Sequence, residues 1–191
     1  MALLESDVIG VEPRDKKEYQ LYLKLKEKYG QALFDLINEA YDKLYGFSPL
    51  TQRQIDYYIG MYLSFLRLED VSVIVDEDEK LVGLGITMPS FSRALQKSGG
   101  KLFPFGWWHI LKAMRGKTDT VDLMLIAVAK EYLNKGVNAL LFADLIPGYI
   151  KNGYKWAESN PELEENSSVQ RQWEYFDYRQ HRRRRAYKKN I

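Results

Sequence analysis

Apolar positions change period several times along the chain, and each change marks an element. The longest unbroken apolar run is Leu123-Met-Leu-Ile-Ala-Val-Ala129. Bounded by polar residues, it reads as a strand buried on both faces. A polar turn follows, Lys130-Glu-Tyr-Leu-Asn-Lys-Gly136, and then Val137, Leu140, Leu141, Leu145 and Tyr149 recur at helical spacing. A strand that feeds a helix through such a turn aims the helix's unpaired N–H groups beyond the strand end, where an anion fits. Most units of this kind are scaffolding, and one glycine is weak support for a phosphate site.

The same reading orders the rest of the chain. Tyr19, Leu21, Leu23 and Leu25 alternate as in a strand, but the Lys- and Glu-rich composition and the Glu18–Tyr22 and Lys24–Lys28 spacings favour a helix. Ala32, Leu33, Leu36, Ile37, Ala40, Tyr41 and Leu44 trace a helix face ended by Gly46. Thr51 and Gln54 form a capping box ahead of a second helix carrying Ile55, Tyr58, Ile59, Tyr62, Leu63 and Leu66. Val71–Val75, a charged turn at Asp76–Lys80 and Leu81–Thr87 read as a β-hairpin whose Gly83 and Gly85 predict a bulge or a close backbone approach. Phe91–Lys97 suggests a helical turn, and the aromatic cluster Leu102–Leu111 continues as helix to Met114, with a polar turn at Arg115–Asp119. Tyr154–Ser159 predicts a short strand, Glu164–Phe176 a helix and the arginine-rich end a last strand or a frayed terminus.

Composition narrows the class. The chain has 191 residues, 46% apolar and 28% charged, as in an ordinary globular domain. With no cysteine and two histidines, neither a disulfide nor a dedicated zinc site is expected. No stretch approaches the roughly 20 apolar residues of a membrane span, and no signal pattern opens the chain, so the expectation is a cytoplasmic protein without a membrane partner. Net charge is only +2, which argues against nucleic acid even though Arg182–Arg185 form a basic run.

From about Tyr45 to Lys189 the chain resembles the GNAT superfamily of acyl-CoA-dependent N-acyltransferases, and within it a subgroup of uncharacterised bacterial proteins. The residues that carry the resemblance are Gly46-Phe-Ser-Pro-Leu-Thr51, Gly100-Lys-Leu-Phe-Pro-Phe-Gly106, Val128 to Leu141 and Glu165-Asn166-Ser167-Ser168. It implies an α+β, three-layer α/β/α fold, a twisted mixed and mostly antiparallel sheet flanked by helices, over residues 31–191. Residues 1–30 would be an N-terminal extension or linker.

The resemblance also implies acetyl-CoA or another acyl-CoA as co-substrate, an amine-bearing small molecule or peptide as acceptor, and a homodimer as one option. The pantetheine would bond to backbone groups of Ile126, Ala127 and Val128. The pyrophosphate would sit on Leu133, Asn134, Lys135, Gly136, Val137 and Asn138, and Asn166 matches the asparagine that opens the family's last helix. The turn departs from the family pattern Arg/Gln-x-x-Gly-x-Gly/Ala at Leu133 and Asn138, and Asn134 stands where glycine is common. Trp173 stands where many active members have the tyrosine that protonates the departing thiolate. For the base that takes the amine proton, Glu158 is the first candidate, with a water relay as the alternative. The plainer readings make Glu158 a solvated edge-strand residue and His109 a packing histidine. A GNAT-fold binding module without catalysis is the competing function.

Overall fold

The computed structural model describes residues 16–61, 67–114, 118–185 and 187–189, with the backbone alone at 16–26, 60, 61 and 68. The chain divides into two units, one ending at Glu158 and the other beginning at Ser159.

In the first unit, helix α1 (Lys16–Tyr41) is continuous across residue 30. The helical reading of residues 16–29 therefore holds over the alternating one. Its lower half buries Leu33, Phe34, Leu36 and Ile37, the i, i+3, i+4 stripe of an amphipathic helix. The helix ends at Tyr41, short of Leu44. Asn38 then ties down the following loop, donating to Leu50 O (3.1 Å) and accepting from Leu50 N (2.8 Å). Helix α2 (Gln52–Met61) starts at the expected cap: Gln54 Oε1 accepts from both Thr51 N (2.9 Å) and Thr51 Oγ1 (2.8 Å). Tyr62, Leu63 and Leu66 of the expected face, and most of the Arg115–Asp119 turn, lie outside the described residues.

Strands β1 (Val71–Val75) and β2 (Leu81–Pro89) form the predicted antiparallel hairpin. Its turn closes on Asp76, whose side chain accepts from Asp78 N and Lys80 N. Helices α3 (Ser92–Ser98) and α4 (Gly106–Met114) are inserted between β2 and β3 (Thr120–Val128). Leu102–Phe105 is non-helical, so the aromatic cluster enters its helix only at Gly106. Helix α5 (Val137–Lys151) and strand β4 (Trp156–Ser159) follow, and the sheet order is β1-β2-β3-β4. β2 and β3 are antiparallel. β4 returns through a helical crossover, so it runs parallel to β3. Their starts meet at Asp119 O, which accepts from Lys155 N (2.7 Å) and Trp156 N (3.1 Å).

α5 lies on one face of the sheet and α1 packs against β2 and β3. Both parts of the glycine expectation hold: Ile74 faces Gly83 but Val75 faces Leu81, so the ladder to β1 is bulged at Val82, and both glycines admit a close approach. A Cβ on Gly83 would stand 2.7 Å from Val137 Cγ1, and one on Gly85 3.1 Å from Leu145 Cδ1. The reading of β3 as buried on both faces needs correction. Val121, Leu123, Ala127 and Val128 are buried, but Asp122, Leu125 and Ile126 are half-buried and Met124 is 41% exposed. An apolar run there reflects an uneven cover rather than a sandwiched strand.

In the second unit, helix α6 (Ser167–Gln172) continues as a 3-10 turn over Trp173–Tyr175. It begins three residues later than expected, because Glu164 and Glu165 form a turn whose Asn166 N bonds Leu163 O. Residues 177–185 form no strand, so the strand reading of the arginine-rich end does not hold for the described residues. Two of its arginines, Arg183 and Arg185, each lie 3.5 Å from Glu164.

Candidate functional site

The hydrogen-bond phase of β3 decides what its edge offers. Ala129 N donates to Val82 O at 2.9 Å, so this is a hydrogen-bonded pair. Such pairs alternate with non-bonded ones in an antiparallel ladder. Leu84↔Ala127 and Ile86↔Leu125 are therefore bonded, and Gly85↔Ile126 and Gly83↔Val128 are the intervening pairs. The N–H and C=O groups of Ile126 and Val128 thus point away from β2, towards the β4 side. Those of Ala127 are committed to Leu84. The register then slips: Ile86 faces Leu125 but Thr87 faces Leu123. Met124 is the additional residue of this β-bulge, which bends the strand and re-aims its edge groups.

Tyr41, from the last turn of α1, reaches this edge. Its hydroxyl donates to Ile126 O at 2.7 Å, and its ring lies 5.9 Å from that of Phe47. Burial raises the Tyr41 pKa, against the pull of that hydrogen bond, so the phenol stays a neutral donor.

Beyond β3 the turn is held from two sides. Lys130 N donates to Glu39 Oε1 (3.1 Å) and Lys130 Nζ pairs with Asp42 (2.7 Å), both on the α1 side. Tyr132 hydroxyl donates to Asp76 in the hairpin turn (3.0 Å), and Lys80 lies 3.4 Å from Glu131. Two residues adopt left-handed backbone, Asn134 (φ 61°) and Gly136 (φ 84°). Asparagine tolerates that region better than other side chains, so the change from glycine at 134 keeps the conformation. At Gly136 a Cβ would meet nothing within 4 Å; the φ angle, not space, calls for glycine.

Gly136 then caps α5, with Leu140 N on Gly136 O opening the helical ladder. The first turn of α5 carries the positive end of the helix dipole. Leu133 and Lys135 are exposed at the rim, with Lys135 Nζ 5.2 Å above the Tyr132 ring. Leu133, Asn134, Lys135, Gly136, Val137 and Asn138 therefore form one continuous turn and helix start at the end of the Ile126–Val128 edge.

Glu158 is half-buried on β4, and its charge is felt by Asp122 on β3. Burial raises the Asp122 pKa. A hydrogen bond from Ser90 works against that rise, and the Glu158 carboxylate adds to it. Asp122 is the residue that sequence reading missed. Its one signal was a lone acid at the head of an apolar run. Asn166 belongs to the second unit, at the N-cap position of α6, where it accepts from Ser168 Oγ (3.0 Å). Trp173, in the same unit, donates its indole N–H to Glu162 (2.8 Å). His109 is half-buried in α4, and Tyr175 and Tyr178 are exposed. Among the described residues there is no cluster of three or more His, Cys, Asp or Glu suited to a metal ion.

No protein-family profile matches the chain. Among curated proteins it is 25% identical over 166 residues to Protein YghO of Escherichia coli (strain K12), covering 84% of this chain and 42% of that protein. It is 27% identical over 117 residues to the bacterial ceramide synthase of Caulobacter vibrioides, covering 59% and 29% respectively. The chain thus spans well under half the length of these relatives. Among solved structures, a GCN5-related N-acetyltransferase from Kribbella flavida superposes with a TM-score of 0.54 at 15% identity, over 78% of this chain and 76% of that one. The aminoglycoside acetyltransferase AAC(6')-Iy, in complex with a CoA-linked bisubstrate analogue, gives 0.51 at 12% identity, over 86% and 94%. At these identities the likeness is one of fold. The chain has the fold of these N-acetyltransferases.

Proposed function

We propose that this domain transfers an acyl group from an acyl-CoA to an amine. The observation that carries the reading is the continuity of the β3 edge with the turn behind it. Outward backbone groups at Ile126 and Val128 lead into left-handed residues 134 and 136 and the start of α5. Backbone donors and a helix dipole hold phosphates without a required side chain, which is why Leu133 and Asn138 do not by themselves remove the site. Asn166 joins this set by resemblance.

An acyl-CoA supplies a thioester carbon for attack by the amine; the C–N bond forms, the C–S bond breaks and the amine loses a proton. Glu158 is the assigned acceptor of that proton. Asp122 beside it is half-buried with its pKa raised, as suits a group that shares the task. The carbonyl oxygen that gains charge needs N–H donors, and the outward N–H groups of β3 beyond the bulge are placed to serve. The relative that makes ceramide is an N-acylating enzyme by its name, which favours acyl-CoAs longer than acetyl and a long-chain amine here.

The test is acyl transfer from acetyl-, octanoyl- and palmitoyl-CoA to a sphingoid base, followed by thiol release. Loss of a catalytic base lowers such rates about 10²- to 10⁴-fold, so Glu158→Gln should fall in that range. If neither Glu158→Gln nor Asp122→Asn slows transfer, the base assignment is wrong. One observation favours the competing reading, a binding module: Trp173 cannot donate a proton to a thiolate, and its indole N–H is already on Glu162.

A further inference from the structure

The α3–α4 insertion carries a surface that acyl transfer does not use. Between Ser90 and Thr118 the sequence holds Arg93, Lys97, Lys101, Lys112, Arg115 and Lys117 and no acidic residue, in a chain whose net charge is only +2. Within it Phe103 and Phe105 are 75% and 73% exposed, flanked by Leu102 (52%) and by Trp107 and Trp108 (44% each). Contiguous apolar exposure of this kind marks an interaction surface.

The turn is built rather than loose. A Cβ on Gly106 would lie 1.7 Å from Lys101 O, so only glycine permits the closure. Trp107 N donates to Leu102 O (2.9 Å), Trp108 N to Phe105 O (3.1 Å) and Lys101 N to Ser98 O (3.1 Å). The Trp107 indole N–H donates to Pro104 O (2.9 Å). Buried Ala94 and Ala113 let the two short helices pack. Ser90 N on Thr120 O (2.9 Å) and Arg93 on Asp119 (3.0 Å) fasten the insertion to the sheet, at the end of β3 opposite the 130–136 turn.

We propose that the Leu102–Phe105 turn and the tryptophan-bearing start of α4 dock on the surface of an anionic lipid bilayer. Two features choose lipid over a protein partner. Three carbonyls of the apolar tip, those of Leu102, Pro104 and Phe105, are bonded internally, which lowers the cost of entry into an acyl boundary. The charges within the segment's own sequence are of one sign, with Lys112 Nζ 5.2 Å over the Trp108 ring, the pattern of aromatic tips between cations that seats at anionic headgroups. The earlier expectation of no membrane partner rested on spanning length, and surface docking needs none. The proposal does not depend on the acyl-transfer reading.

Sedimentation with vesicles tests it, using phosphatidylcholine alone and an equal mixture of phosphatidylcholine and phosphatidylglycerol. The protein should sediment with the mixed vesicles, far less with the neutral ones, and lose binding as salt rises. Phe103→Ser/Phe105→Ser, both at exposed positions, should lower the partition coefficient at least about tenfold with an unchanged circular dichroism spectrum and melting midpoint. Lys101→Glu/Lys112→Glu should abolish the preference for the mixed vesicles. Equal sedimentation of wild type and Phe103→Ser/Phe105→Ser would overturn the proposal and point to the arginine run instead. So would failure to bind either vesicle, or a self-association that the same double variant dissolves without any vesicle binding.

Discussion

Asp70 is 1% exposed at the head of β1, with its carboxylate oxygens 2.5 and 2.9 Å from the Arg67 guanidinium, which also donates to the Tyr154 hydroxyl (3.0 Å). Its backbone carbonyl accepts from Thr87 Oγ1 (2.9 Å), so one residue links β1, β2 and the chain after α5. Removing one partner of a buried pair strands the other, so Asp70→Ala should cost about 3 kcal/mol, at the low end because Arg67 keeps some solvent contact. Urea denaturation reads this directly. Asp76 sets an acid limit: backbone N–H from Lys80, and then the Tyr132 hydroxyl, hold its carboxyl below the usual range. A lowered folded pKa stabilises above the unfolded value, about 3.9, and that contribution is lost as pH falls through the folded value. Melting midpoints should therefore drop below about pH 4, and Asp76→Asn should flatten part of the drop. A midpoint insensitive to acid would contradict this.

At the scale of elements, α5 and the hairpin touch where glycine leaves room. Gly83→Ala would drive a methyl against Val137, with Ile74 Cβ only 3.2 Å away. Overpacking of this kind costs about 1–3 kcal/mol. Because Val137 opens α5, the same change should also weaken any ligand of the turn, and an unchanged melting midpoint would contradict the packing argument. Both glycines were legible in the sequence as a bulge or a close approach, and so were the hairpin, the Thr51 cap and the period change at Gly136, because local chemistry sets each of them. The bulge at Met124 was not legible. It is fixed by the register between β2 and β3, and no residue type marks it. Asp122 was missed for the same reason, since its burial and its nearness to Glu158 arise only when β4 returns beside β3. The exposed side of β3 was misread because periodicity reports apolarity, not what covers it.

For the whole molecule, the first unit combines a turn with left-handed residues 134 and 136 at one end of β3 and a basic, aromatic insertion fastened to the other. If the insertion seats on lipid, an amine carried in a bilayer would reach the domain from the end opposite the turn. That arrangement fits a long-chain acceptor better than a soluble aminoglycoside. The central claim remains that the β3 edge and the Leu133–Asn138 turn hold an acyl-CoA. Titration calorimetry of the protein with acetyl-CoA and palmitoyl-CoA tests it most directly. One site per chain is expected, retained in Leu133→Ala and weakened at least about tenfold in Gly136→Val, where a β-branched side chain strains the left-handed φ. Absence of heat with either thioester at millimolar concentration, or equal binding by Gly136→Val, would contradict it.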